Sequence, residues 1–354
     1  MSGNFTQRGE IAVMDKFTRA RHVVLAGADV VIELPTVFAT ANAETFATGA
    51  IKVIDSLGCV DGICFGVESG KKQDFIDLAK ALNDESKEYK KSLKAFLEQG
   101  VSLAKAKFLA VKEVYGDKFN EQLTCLPNNI LGLEYTKAIL KQNPNIDIYP
   151  MLREGDHNDV TFKRGITSAT SIRQVLKTGK KLKLKSSMPK YSYKDLTDYP
   201  FAFDKLCMAK LITTPTEQLA KICDCTEGLE NRIKALSKDN HRLEDLIEKV
   251  CTKRYPQTRI RRILTANLLG IDSGLVKDCL NKPLYAKVLA VNIDSKDIIS
   301  QISKSAKVPV LTRKSDVTEL KKTAEKCFMV DDLANDLYCL ITDQKINTNQ
   351  TLFV

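Results

Sequence analysis

Short apolar runs alternate with longer segments of helical periodicity in the first half of the chain. The apolar runs end at or beside glycine or proline, which predicts buried parallel strands at 30–34, 62–66 and 146–149. Apolar residues recur at helical spacing between these runs, which predicts helices at 41–57, 71–98, 102–114 and 131–141. Alternating strands and helices predict an α/β fold with a parallel sheet.

The pattern changes in the second half, where a mainly helical stretch is followed by a mixed one. Its predicted elements are strands at 285–291 and 308–311 and helices at 230–251, around 260–271, at 297–303 and at 331–342. We therefore predict three regions: an α/β region at 1–185, a helical module at 190–280 and a small α/β region at 281–354.

The composition is that of a globular protein that can bury a sizeable core. The chain has 354 residues, of which 44% are hydrophobic and 28% are charged. No apolar run approaches the roughly 18 residues of a membrane span, and the first residues show no secretory signal pattern. We therefore expect a cytoplasmic protein. Its ten cysteines lack the spacing of a zinc site, which favours reduced, structural thiols.

The formal net charge is +10, which favours a polyanionic partner. The cations concentrate at 177–190 and at 253–262. In the second stretch, apolar residues recur at helical spacing and turn Arg259 and Arg262 to the opposite face. This predicts a buried helix with an exposed basic stripe. Tyr255 beside it can stack on a base or pack internally, and the lysines of 177–190 can bind phosphates or form a solvated linker.

Another candidate site lies at 166–173, where serines and threonines cluster at a predicted helix start. Hydroxyls and the free N–H groups of a first helical turn bind phosphate oxygens, and Arg173 would add bidentate donors. The same residues also fit an ordinary capped helix with a solvated arginine. Because ligands bind beyond the carboxyl ends of parallel strands, we expect this helix start to approach the loops 66–70 and 153–159.

Acidic residues and one histidine are further candidates for chemistry. Asp156, His157 and Asp159 together have the composition of a metal or acid–base site. No second ligand stands at zinc spacing, so a hydrogen-bonded structural role or a nucleotide contact is favoured for His157. Asp15 and Glu33 are candidates for contacting a cation or a ribose, and Glu33 can equally be an exposed residue at a strand end.

Six blocks of the sequence carry a family resemblance. They are SGNFTQRGE at 2–10, DVVIELP at 29–35, FGVESG at 65–70, PNNILGLEY at 127–135, SATSIR at 168–173 and KRYPQTRI at 253–260. In this order, and spread over essentially the whole chain, they resemble the bacterial tRNA(Met) cytidine acetate ligases. Six ordered blocks are far more specific than any one of them.

The resemblance implies a nucleotidyltransferase-like Rossmann domain that uses ATP, carried with Mg²⁺, to activate acetate as acetyl adenylate. The acetyl group would then pass to N4 of the wobble cytidine of elongator tRNA(Met). Such chemistry needs charge neutralisation at the phosphates more than a covalent nucleophile. By matching motifs, ATP would be bound by Gly66, Asn128, Asn129, Arg153, Ser168, Ser171 and Arg173. The tRNA would be bound by Lys253, Arg254, Tyr255, Arg259 and Arg262.

The start of the chain departs from the family pattern. Family members have a strand and a loop with an H-x-G-H motif ahead of the first block, and this motif is absent from the sequence. We expect region 1–185 to be N-terminally incomplete through a start at an internal methionine, and the chain as written to adenylate acetate poorly. Two alternatives stay open: an adenylyltransferase acting on a small metabolite, which the basic helix argues against, and a non-catalytic tRNA-binding paralogue.

Overall fold

The computed structural model describes residues 1–84, 86–101, 103–153, 169–198, 200–345 and 350–354. Its strands are β1 (Val30–Glu33), β2 (Gly62–Val67), β3 (Asp147–Leu152), β4 (Ala286–Val291), β5 (Val310–Leu311) and β6 (Leu352–Phe353). Its helices are α1 (Lys16–Leu25), α2 (Thr36–Ala39), α3 (Ala43–Ser56), α4 (Lys72–Asp84), α5 (Lys87–Glu98), α6 (Leu103–Tyr115), α7 (Gln122–Cys125), α8 (Pro127–Gln142), α9 (Ala169–Lys177), α10 (Lys190–Lys194), α11 (Ala202–Thr213), α12 (Thr216–Leu219), α13 (Leu229–Ser237), α14 (Leu243–Val250), α15 (Gln257–Leu269), α16 (Ser273–Asn281), α17 (Lys296–Ser305) and α18 (Lys322–Thr342). None of the helices in these ranges is long and apolar enough to cross a membrane.

Strands β2 and β3 form a parallel pair, as the sequence predicted. Their register runs from Gly62 opposite Asp147 to Val67 opposite Leu152. Strand β3 is longer than predicted because it continues through Pro150, which lies opposite Phe65. Proline is tolerated in a strand where its missing N–H faces away from the ladder. The longer strand brings the end of β3 level with the end of β2.

Strand β1 pairs with the C-terminal region of the chain. It runs antiparallel to β4, and β4 is parallel to β5 and β6. All six residues of β4 are buried, which agrees with a continuous apolar run. The C-terminal region is α/β as predicted, but it shares a sheet with β1. An apolar groove of about 420 Å³ lies between β1 and β2, and residues of helix α3 also line it.

Two of the predicted helices are each divided in two, which corrects the sequence prediction. The segment 71–98 forms α4 and α5, because the Ser86 hydroxyl accepts a hydrogen bond from the Tyr89 N–H at 3.1 Å and starts a new helix. The segment 230–251 forms α13 and α14. Helix α8 begins at Pro127, four residues before the predicted start at 131. Proline suits the first helical position because the N–H that it lacks has no intrahelical partner there.

The largest hydrophobic core draws side chains from all three predicted regions. Its fully or nearly fully buried members include Phe5, Phe38, Leu246, Ile263, Tyr285 and Tyr338. A smaller core includes Leu176, Leu184 and Leu196. Because Leu184 is fully buried, the lysine-rich stretch around it is packed against the protein and is not a free linker.

Candidate active site and basic surface

The carboxyl ends of β2 and β3 place Gly66 beside Arg153. The Arg153 N–H donates to the Val67 carbonyl oxygen at 2.9 Å, which continues the ladder by one residue. A Cβ on Gly66 would stand 3.0 Å from Arg153 Cγ, so the glycine leaves room for the arginine stem across the end of β2. The structure therefore brings these two predicted site residues together and leaves the Arg153 side chain exposed.

The Glu68 carboxylate caps the N-terminus of helix α8. The sequence alone indicated no role for this residue. One carboxylate oxygen accepts from the Asn128 backbone N–H at 3.2 Å and from Asn128 Nδ2 at 2.6 Å. The other accepts from the Asn129 N–H at 3.0 Å. A carboxylate is stabilised at this end of a helix by the free N–H groups and the helix dipole. In the sequence, this role is indicated by a glutamate that directly follows β2 and by a helix that begins with proline.

Asn129 shapes the loop after β2 from inside the protein. Its Oδ1 accepts from the N–H groups of Glu68 and Ser69 at 2.9 and 3.3 Å. Its Nδ2 donates to Ser69 Oγ at 2.9 Å and to the Gln122 carbonyl at 3.0 Å. The Asn129 side chain is fully buried and engaged by these bonds, and its contact with ATP stays a prediction. Asn128 is half-buried, and its contact with ATP stays a prediction.

Helix α9 carries the other predicted ATP-binding residues. Ser168 and His157 lie outside the described residues. Ser171 is 1% exposed, and its contact with a phosphate stays a prediction. Arg173 lies at the surface of the helix, where its Nε is 3.4 Å from Glu10 Oε2 and its Nη2 donates to Thr170 Oγ1 at 3.3 Å.

Asp15 and Glu33 have structural roles, which corrects their prediction as cation or ribose contacts. Asp15 caps α1 by accepting from the N–H groups of Phe17 and Thr18. Glu33 is 1% exposed and accepts from Lys16 Nζ at 2.8 and 2.9 Å. Burial opposes ionisation of Glu33, but the charges of Lys16 and Lys287 outweigh it and hold the pKa of the carboxyl below its ordinary value.

The predicted basic stripe on α15 is only partly exposed. The side chains of Arg259 and Arg262 are 20% and 16% exposed, so the prediction that they form an exposed face is wrong. Arg259 donates to the Asp224 carbonyl at 3.0 and 3.1 Å and to Thr226 Oγ1 at 2.7 Å. Arg262 Nε donates to Asp224 Oδ2 at 3.2 Å. Both arginines therefore anchor the loop before α13. The apolar face of α15 is buried, as predicted.

The cations before α15 are more accessible. Lys253 is exposed, and Arg254 is 66% exposed although it pairs with Glu227 through two hydrogen bonds of 2.8 and 3.1 Å. The Tyr255 ring lies 5.9 Å from the Arg254 guanidinium and 5.4 Å from that of Arg259. The accessible part of the basic surface is therefore the turn 252–255 and not the helix itself.

Within the described ranges, no group of three His, Cys, Asp or Glu side chains is placed to hold a metal ion. All ten cysteines are free thiols. Burial raises the pKa of Cys223 to about 11 and that of Cys225 to about 12. These two thiols stay protonated at neutral pH, which agrees with a structural role.

Comparison with known proteins gives a consistent assignment. Residues 1–352 match the family model of the HIGH Nucleotidyl Transferase. The tRNA(Met) cytidine acetate ligase of Thermoanaerobacter sp. (strain X514) is 36% identical over 348 residues, which cover 96% of this chain and 86% of the relative. That of Clostridium acetobutylicum is 36% identical over 330 residues, with 88% and 81% covered.

Two crystal structures of Thermotoga maritima TmcAL share the fold at 28% identity, and each comparison covers 100% of this chain and 91% of the other. The ligand-free form has a TM-score of 0.93, and the form bound with alpha-thio ATP has a TM-score of 0.89. The chain belongs to the HIGH nucleotidyl transferase family and, within it, to the tRNA(Met) cytidine acetate ligases.

Proposed function

We propose that this protein uses ATP and acetate to acetylate N4 of the wobble cytidine of elongator tRNA(Met), in the cytoplasm. The observation that carries the proposal is the pairing of Gly66 with Arg153 at the carboxyl ends of β2 and β3, in a chain of this family. The open end of a parallel pair is where nucleotides bind in α/β folds. The related TmcAL bound with alpha-thio ATP supports ATP as the nucleotide.

The reaction has two steps. In the first, an acetate oxygen attacks the α-phosphorus of ATP, the bond to the bridging oxygen breaks, and diphosphate leaves. In the second, N4 of the cytidine attacks the acetyl carbonyl, AMP leaves, and the amine loses one proton. Arg153 and Arg173 would neutralise the phosphate charge that develops in the first step. Neither step requires a covalent nucleophile from the protein.

Mg²⁺ would accompany the nucleotide as the counterion of its phosphates. Among the described residues, no three His, Cys, Asp or Glu side chains are placed to hold a resident metal ion. On the tRNA side, the exposed cations Lys253 and Arg254 would contact the phosphate backbone, and Tyr255 would support them. The excess of 10 positive charges is consistent with this partner.

The test is the N4-acetylcytidine content of elongator tRNA(Met) after incubation with the purified protein, ATP and acetate, measured by mass spectrometry of the nucleosides. We expect acetylation that requires both ATP and acetate and that is absent from a matched tRNA with uridine at the wobble position. The yield also tests the expectation from the sequence that this chain adenylates acetate poorly. AMP and diphosphate formation without tRNA acetylation would indicate another acceptor. A protein that binds neither ATP nor this tRNA would contradict the proposal.

A further inference from the structure

An open, mostly apolar depression of about 670 Å³ lies where the N-terminus of helix α18 meets the segment between α16 and β4. Its apolar lining consists of Pro283, Leu284, Pro309, Leu320 and Ala324. The two leucines are buried, whereas Pro283 is exposed at the edge of the depression. Accessible apolar surface with a polar rim is typical of sites that bind a partner.

The rim of this depression carries more positive than negative charge. Lys321 and Lys322 are exposed, and neither forms an ion pair within the part of the chain that the structure describes. Lys282 pairs with Asp278 at 3.3 Å, and Glu319 is the carboxylate in the lining. The N-terminal end of the α18 dipole adds partial positive charge. The depression therefore favours an anionic group.

Thr323 provides an observation that is independent of charge. It lies in the first turn of α18, lines the depression and is 7% exposed. Its hydroxyl has no hydrogen-bond partner among the described residues. By contrast, the Ser86 hydroxyl at the start of α5 accepts from the Tyr89 N–H. Because a hydroxyl that is shielded from water loses free energy without a hydrogen bond, an acceptor bound in the depression would stabilise Thr323.

A second depression of about 240 Å³ adjoins the first, since Pro283 and Leu284 line both. Two further lysines line it. Lys307 pairs with Asp55 at 3.2 Å, whereas the Lys52 ammonium donates to a backbone carbonyl at 2.8 Å. The two depressions thus repeat the combination of apolar lining and excess lysine. A repeated pattern of this kind fits an extended polyanion with apolar groups better than a single small anion.

We propose that these two depressions bind a single-stranded segment of the tRNA, with a phosphate at Lys321, Lys322 and Thr323 and a base or ribose against Pro283. The inference rests on the proposed function, because it adds a second contact surface for that substrate. Single-stranded RNA presents unstacked bases for apolar contact and one phosphate per nucleotide. The N-terminus of a helix binds phosphate oxygens through its N–H groups and its dipole. The Thr323 hydroxyl would donate to a phosphate oxygen.

The test is filter binding of elongator tRNA(Met) at several salt concentrations, with the full chain and its variants. We expect Lys321→Gln/Lys322→Gln to reduce the slope of log affinity against log salt concentration by about two, as loss of two phosphate contacts predicts. Thr323→Val keeps the shape of the side chain. It should weaken binding about tenfold without changing the slope, as loss of a hydrogen bond to a charged group predicts. ATP affinity should not change in either variant.

Lys238→Gln/Arg242→Gln is the matched control. It also removes two positive charges, from an exposed lysine and an 82% exposed arginine that lie outside both depressions. Urea unfolding of every variant verifies that it is folded. Because Lys321 and Lys322 are exposed, their substitution should leave the fold intact.

Four outcomes decide the matter. A reduced slope in the double lysine variant and reduced affinity in Thr323→Val, with the control unchanged, support the proposal. Wild-type binding by either variant would overturn the inference and leave the proposed function intact. An equal change of slope in the control would indicate a general effect of net charge and would also overturn the inference. Failure of the wild-type protein to bind this tRNA would overturn both the inference and the proposed function.

Discussion

Arg8 and Arg173 beside α9 differ from Arg259 and Arg262 on α15 in the groups that they face. The first two donate to the Thr170 hydroxyl, and Arg173 Nε also lies 3.4 Å from Glu10 Oε2. The second two are fixed by Asp224, through its backbone carbonyl and its carboxylate. The same residue type thus donates to a hydroxyl at a helix start in one place and anchors a loop in the other.

The difference shows that a cluster of arginines in a sequence does not by itself locate a binding surface. The partners of Arg259 and Arg262 come from a loop more than thirty residues earlier, where Asp224 has the unusual φ of 66°. Asn42, from the first region, also bonds to Asp224, at 3.0 Å. Whether an arginine can contact a ligand depends on such acidic partners, which are distant in sequence. Helical spacing does not reveal them.

The largest expected effect on stability comes from substitution of Gly9, which packs against the backbone of Arg261 and Arg262. We expect Gly9→Ala to lower the free energy of unfolding by about 2–5 kcal/mol, since a left-handed alanine costs about 1–2 kcal/mol and overpacking adds about 1–3 kcal/mol. Urea unfolding measures the change. Gly116→Ala is the control, because Gly116 also has φ +68° but a Cβ there would meet no atom within 4 Å. Equal losses in both variants would contradict a tight contact with α15.

Removal of an anchoring arginine should mainly reduce stability. We expect Arg259→Ala to lower the free energy of unfolding by about 1.5–3 kcal/mol, because a charged group loses its hydrogen bonds to the 224–226 loop. Arg242→Ala, at an 82% exposed arginine, should change it little. The same urea measurement serves both variants. If the Arg259→Ala protein has wild-type stability but binds tRNA much more weakly, Arg259 contacts tRNA and does not anchor the loop. That result would support the predicted exposed basic stripe on α15.

The accessible cations should act on tRNA affinity instead. We expect Lys253→Gln and Arg254→Gln each to reduce the slope of log affinity against log salt concentration by about one, as loss of one phosphate contact predicts. Filter binding of tRNA at several salt concentrations measures the slope. ATP affinity should not change. If the slope is the same as in Arg242→Gln and in the wild-type protein, the turn 252–255 does not contact the phosphate backbone.

The smallest expected effect is a pH dependence at Glu227. The hydrogen bond from Arg254 holds the pKa of this carboxyl below its ordinary value of 4.5. Its contribution to stability is therefore complete above that value and disappears as the pH falls through the lowered folded pKa. The difference in unfolding midpoint between wild type and Glu227→Gln should shrink from pH 6 to about pH 3. A constant difference over this range would mean that the pair does not stabilise the loop.

Local signals in the sequence were sufficient for much of the fold. The pairing of β2 with β3, the buried face of α15 and the proximity of Gly66 to Arg153 all follow from apolar spacing and from the geometry of parallel strands. The pairing of β1 with β4 joins segments more than 250 residues apart, and no local pattern predicts it.

The candidate site was predicted less completely than the fold. The family motif predicts that Asn129 contacts the nucleotide, and its burial, which follows from contacts with Ser69 and Gln122, was not predicted. Glu68 and Arg8 were part of recognised sequence blocks without an assigned role. The contacts that they make depend on which helix start each one meets in space, and that is a tertiary property.

Gly9 and Gly66 should respond differently to genetic selection. A side chain at position 66 would meet the flexible stem of Arg153, so a rotation of that arginine or a shorter residue at 153 can make room for it. A side chain at position 9 would meet main-chain atoms of Arg261 and Arg262, which no substitution on α15 removes. We therefore expect a Gly9 mutation to be rescued only by reversion to glycine. A Gly66 mutation can also be rescued by a compensating change at a second position.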